Sequence, residues 1–131
     1  MSQEESIVQG HFDAASRGDF AAVLDAFDED VVLVVREVFG AGTFRGRDVV
    51  GKWFGDWFRS FADGYCFEIE EIRGVGERVS VVACHHGRGR ASGVELERTW
   101  PYAYTVRSGK IVRIEIFEHR AEALKAVGLE E

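Results

Sequence analysis

Hydrophobic positions recur at helical spacing in the first half of the chain and at every second position in the second half. From Glu4 to Arg17, Ile7, Val8, His11, Phe12 and Ala15 share one helical face. Gly18 stops that run, and Asp19 is placed to cap a second helix over Phe20 to Phe27. Val31 to Val35 is a continuous β-branched and apolar run, which predicts a strand buried on both faces. Gly40, Gly42 and Gly46 mark a connection carrying Phe44 and Arg45, after which Asp48 can cap a third helix. On that helix Val50, Trp53, Phe54, Trp57, Phe58 and Phe61 make a wide aromatic stripe that needs a large apolar partner.

Alternation takes over past Asp63-Gly64. Tyr65, Phe67 and Ile69 interleave with Cys66, Glu68 and Glu70, and Val79 to His85 reads as the next strand. Val94 to Val106 and Ile111 to Phe117 flank Arg107-Ser108-Gly109-Lys110, where Ser and Gly supply a hairpin turn. A helix closes the chain near Gly128. The order is therefore helix, helix, strand, helix, four strands and a short helix. It predicts an α+β fold with a mixed or antiparallel sheet and its helices gathered on one face.

At 131 residues the chain has the length of a single domain, 1–131, with 46% hydrophobic residues, ten Phe and three Trp to fill a core or line a pocket. A formal net charge of -7 without a basic block argues against a nucleic-acid partner. No apolar stretch approaches bilayer length, and MSQEES is polar where a signal peptide would be basic and then apolar, so no membrane association and a cytoplasmic location are expected. Cys66 and Cys84 lie in strand patterns without metal-ligand spacing and are expected to be buried free thiols.

Three local patterns coincide: Arg17-Gly18-Asp19-Phe20 between two helices, Phe44-Arg45-Gly46-Arg47-Asp48 before the aromatic helix, and Gly89-Arg90-Ala91-Ser92-Gly93-Val94-Glu95 followed by Gly109 to Arg113 and Glu122 to Leu129. Together they resemble the SnoaL-like proteins of the nuclear transport factor 2-like superfamily over nearly the whole chain. The resemblance implies a cystatin-like cone: a curved mixed sheet wrapped around three helices, a short C-terminal helix, an apolar pocket at the open end, and a homodimer paired across the outer face of the sheet. It implies a small, largely apolar organic ligand and no cofactor. Ketosteroid isomerases, polyketide cyclases, an epoxide hydrolase, dehydratases and non-enzymatic members share this fold, so the fold does not carry the function.

The resemblance also nominates residues. His11 takes the helix position where ketosteroid isomerases hold a hydrogen-bonding Tyr; the alternative is a histidine satisfied within the core. Tyr102 matches the second oxyanion donor, with Trp100 and Tyr104 on the same strand face, either lining a pocket wall or filling the core. Glu115 resembles the acid on the last strand of limonene epoxide hydrolase and shares a face with Arg113; the alternative is an Arg/Glu pair on the outer surface. These give His11, Tyr102 and Glu115 as candidate catalytic groups, and Trp53, Trp57, Phe61, Trp100, Tyr104 and Arg113 as ligand contacts. Val35 falls where the isomerases place their general base, which argues against steroid isomerisation unless Glu37 serves instead.

Further candidates are less specific. His85 and His86, being adjacent on a strand, must face opposite sides. A dyad of a histidine with Asp13, Asp28 or Glu115 has no spacing to test it, and His11, His85, His86 and His119 show no metal-ligand motif, so no metal is expected. Arg88 and Arg90 either meet an anion at the pocket mouth or are solvated loop charges. If catalytic, the chain would run cofactor-independent proton transfer of isomerase, cyclase or dehydratase type. The other readings are a ligand binder without turnover and a cone filled by its own rings.

Overall fold

The computed structural model describes residues 1–36 and 41–129. Along the chain run α1 (Gln3–Ser16), α2 (Phe20–Asp25), β1 (Phe27–Val35), β2 (Gly42–Arg45), α3 (Arg47–Arg59), β3 (Cys66–Val75), β4 (Arg78–Arg88), β5 (Glu95–Arg107), β6 (Lys110–Ile116) and α4 (Arg120–Ala126). The six strands form one sheet in the order β2-β1-β6-β5-β4-β3. Among the described residues only the β1–β6 pairing is parallel. Register shifts between Ile69 and Glu71 and between Thr105 and Val106 add to the bending of a curved sheet whose edges, β2 and β3, do not meet. The expected α+β architecture with a curved mixed sheet is the observed one.

Local chemistry sets each boundary. Ser2 and Glu5 form a reciprocal capping box at the start of α1, and the Glu5 carboxylate also accepts the Gly74 N–H at 3.0 Å, tying the helix to β3. Asp19 caps α2 by accepting the Ala22 N–H at 3.2 Å. Ser108 and Gly109 both have positive φ, as a two-residue type I′ hairpin between β5 and β6 requires. Gly51 and Gly55 on α3 let α2 approach closely: a Cβ on Gly51 would lie 2.5 Å from Leu24.

Strand alternation then divides the side chains between two faces. Val8 and Phe12 of α1, Val23 of α2 and Val50 and Phe54 of α3 pack with Leu33, Val81, Trp100, Tyr102, Tyr104, Ile114 and Ile116 on the concave face. Ala103 and Phe117 turn the other way and pack against Ala123 of α4 and Val127 just after it. The helices are therefore not all on one face: α4 covers the outer side.

Four further expectations are corrected. The second helix stops at Asp25, because β6 captures the carbonyls there: Ile111 N–H donates to Ala26 O at 2.8 Å, drawing Phe27 into β1 opposite Ile111. Gly42–Arg45 is not a bare connection but an edge strand paired with Val32 to Val35; Gly40 lies outside the described residues. Gly46, at φ 91, occupies the cap of α3, and Asp48 sits in the first turn, where a carboxylate favours the helix dipole. Cys84 is a buried free thiol as expected, whereas Cys66 is free but exposed. No helix among the described residues is long and apolar enough to cross a membrane.

Candidate functional site

The concave face of β4 and β5 carries His85, Trp100 and Tyr102 toward α1 and α3. Between them lies a cavity of about 40 Å³, walled further by His11, Phe12, Val35, Trp53, Trp57, Phe67, Tyr104 and Ile116. The rings pack edge to face: His85 lies 4.6 Å from Phe67 and 4.8 Å from Trp100, and Tyr102 lies 5.4 Å from Phe12. No carboxylate, lysine or arginine lines the cavity among the described residues.

A chain of hydrogen bonds enters this apolar space. Trp57 Nε1–H donates to Tyr65 Oη at 3.0 Å, Tyr65 Oη lies 2.7 Å from His85 Nδ1, and His85 Nε2 lies 2.7 Å from Tyr102 Oη. Since Trp57 supplies a donor to Tyr65, the arrangement that uses Tyr65 fully has its O–H donating to Nδ1. His85 then carries its proton on Nε2 and donates to Tyr102, which leaves the Tyr102 O–H to point at a partner of its own. Gly87 makes this possible, because its missing Cβ leaves room for the Tyr65 ring over β4.

Burial holds every member neutral. Desolvation pushes His85 down to about 3, with the nearby His86 adding to the fall, and pushes His11 down to about 4. Burial likewise raises the Tyr65, Tyr102 and Tyr104 hydroxyls. Near pH 7 the cavity therefore offers uncharged imidazoles and protonated phenols. Two of its polar atoms, His11 Nδ1 and Trp100 Nε1, are buried without a hydrogen-bond partner among the described residues.

A SnoaL-like domain model matches residues 8–114. The chain belongs to the SnoaL-like family. No curated protein matches it in sequence. Among solved structures it is similar to a putative polyketide cyclase from Sinorhizobium meliloti (28% identity, TM-score 0.68, covering 85% of this chain and 93% of that one). It is also similar to a protein of unknown function with a cystatin-like fold from Xanthomonas campestris (22% identity, TM-score 0.75, 87% and 88% covered). A third similar structure is a Mycobacterium tuberculosis protein in complex with estradiol-17β-hemisuccinate (16% identity, TM-score 0.77, 91% and 95% covered).

Within this SnoaL-like cone the nominated residues separate into two groups. His11, Tyr102, Trp53, Trp57, Trp100 and Tyr104 all line the one cavity. Glu115 and Arg113 do not: Ile114 and Ile116 take the concave face of β6, so the alternating Arg113 and Glu115 point outward. There Glu115 Oε2 meets Arg36 at 3.1 Å and Oε1 meets Arg113 at 3.3 Å, an ion-paired cluster on the outer face. Phe61 lies beyond the end of α3, packed on Trp57 and Tyr65, and lines a neighbouring surface groove instead.

Arg88 pairs with Glu95 at 2.6 Å, and Arg90 donates to the Phe61 carbonyl at 2.9 Å, so both serve loop structure. Val35 walls the cavity, and Glu37 lies outside the described residues. His85 and Tyr65 were not among the nominated residues. Alternation finds them only once the register is known: Phe67 pairs with His85, so the Tyr65/Phe67 face and the His85 face are the same one.

Proposed function

We propose that this SnoaL-like protein binds a small, flat, largely apolar molecule with an oxygen acceptor, and that Tyr102, backed by His85 and Tyr65, donates a hydrogen bond to that oxygen. The observation that carries the reading is the pair of buried, unpaired ring nitrogens, His11 Nδ1 and Trp100 Nε1, on the wall of the same cavity. Leaving such atoms unpaired costs about 1–3 kcal/mol each, so a partner within the cavity, a ligand oxygen or a bound water, is favoured. The mycobacterial neighbour's complex with a steroid ester and the polyketide-cyclase neighbour support ligands of this class. Turnover, where it occurs, is proton transfer without a cofactor: a neutral His11 accepts the proton and Tyr102 stabilises the developing oxyanion. The two free thiols accord with a cytoplasmic setting, and the exposed part of the outer sheet face is where a second copy would pair.

One observation favours a second reading. At about 40 Å³ the cavity holds a few waters, well below the few hundred Å³ of a small-molecule site, as a cone filled by its own side chains would have it. Titration with flat phenols and ketones, estradiol-17β-hemisuccinate among them, separates the two. Binding is expected to quench tryptophan fluorescence and raise Tm, with affinity about tenfold weaker in Tyr102→Phe. No stabilisation by any member of the panel, or equal affinity in Tyr102→Phe, would favour the filled cone.

A further inference from the structure

We propose that Cys84, His86 and Glu97 form a zinc site on the outer face of the sheet, opposite the cavity. Cys84 and His86 are two residues apart on β4 and so share a face, and Glu97 of β5 stands directly across from His86. One ligand atom from each, Sγ, an imidazole nitrogen and a carboxylate oxygen, lies within 4.8 Å of the others. A tetrahedral shell, with Zn–S near 2.3 Å and Zn–N and Zn–O near 2.0–2.2 Å, holds its ligand atoms closer than this, so the three side chains draw inward on binding. Glu68 of β3, opposite Cys84 in register, already has Oε2 3.5 Å from His86 Nε2 and stands ready as the fourth ligand.

The donor set chooses the metal. A thiolate beside an imidazole and carboxylates suits a borderline cation such as Zn²⁺ and disfavours Mg²⁺ and Ca²⁺, which take oxygen. Access is open: the His86 side chain is 37% exposed, and the cluster lies toward the end of β4 away from Arg78, which reaches the Ala126 carbonyl under α4. Binding replaces the Cys84 thiol proton with metal, so it strengthens as pH rises. An ion there bridges β4 to β5, and through Glu68 to β3. The residue between its two β4 ligands is His85, so the ion fixes the strand that presents the cavity histidine.

The test uses the whole chain, stripped of metal by chelator and titrated with Zn²⁺ or Co²⁺ alone. One equivalent is expected to bind, with Co²⁺ giving a thiolate charge-transfer band and tetrahedral d–d absorption. Glu97→Gln, at an exposed position that leaves the fold intact by circular dichroism, is expected to weaken binding at least about tenfold, and Cys84→Ser to abolish the charge-transfer band. Failure of the wild-type chain to bind one equivalent, a Co²⁺ spectrum without the thiolate band, or unchanged affinity in Glu97→Gln would each overturn the proposal.

Discussion

Mild acid should unfold this protein through its two buried histidines. An unfolded histidine titrates near 6.5, while burial holds His11 down to about 4 and His85 to about 3, so the unfolded chain binds protons that the native chain refuses. The sign follows directly: between those values stability rises with pH and falls as the solution is acidified, reaching its floor once the native imidazoles themselves protonate. Near pH 5 each group contributes nearly one proton, or about 1.4 kcal/mol per pH unit, and the pair about 3 kcal/mol per pH unit. From pH 7 to pH 5 the loss is roughly 4 kcal/mol, a large share of the ~5–15 kcal/mol that holds a domain together. The lowered Glu5 carboxyl acts only below about 4.5, so it stays out of this window. Urea midpoints at stepped pH measure the effect, and His11→Leu should remove about half of the slope. A change below about 1 kcal/mol over the window, or a slope untouched by His11→Leu, would refute the assignment of two neutral, buried imidazoles.

Two other substitutions probe the geometry. Gly87→Ala places a Cβ 2.5 Å from Tyr65 Cδ2, so the ring must shift and the Tyr65–His85 bond should break. A loss of about 1–3 kcal/mol is expected by urea denaturation, with altered Trp57 fluorescence. Glu115→Gln disrupts the Arg36 and Arg113 pairs on the outer face, costing about 1–2 kcal/mol, but should leave ligand affinity, measured by fluorescence titration, unchanged because the cavity is on the other side.

The parts of the fold that depend on local period were legible in the chain: α1, the aromatic α3 and the three long strands stand within a few residues of their patterns. What stayed hidden was set by distant partners. Phe27 reads as the last turn of a helix until Ile111 takes the carbonyl before it, and Gly42 to Arg45 is too short to alternate until β1 is beside it. The same distinction governs the site. The cavity face of β5 followed from alternation, whereas the facing of Glu115 depended on which phase of Ile111 to Phe117 met the core, and the two isoleucines around it decided that. His85 could be assigned to a face only relative to Phe67, a pairing that no local signal prints.

The small volume and the hydrogen-bonded chain bear on one another. A molecule of a few hundred Å³ can enter only if part of the aromatic wall moves, and the half-buried members of that wall are Trp53, Trp57 and Phe58, on α3, with Phe67 behind them. Trp53 and Trp57 are stacked nearly parallel, 6.4 Å apart. Displacing Trp57 removes the N–H that Tyr65 accepts, and Tyr65 then becomes free to accept from His85 Nδ1 instead of donating to it. His85 in that tautomer accepts from Tyr102, withdrawing the Tyr102 proton from the cavity, whereas the return of Trp57 restores it. The Tyr102 proton is thus held toward the cavity by a chain whose first donor, Trp57, stands on the half-buried part of the wall.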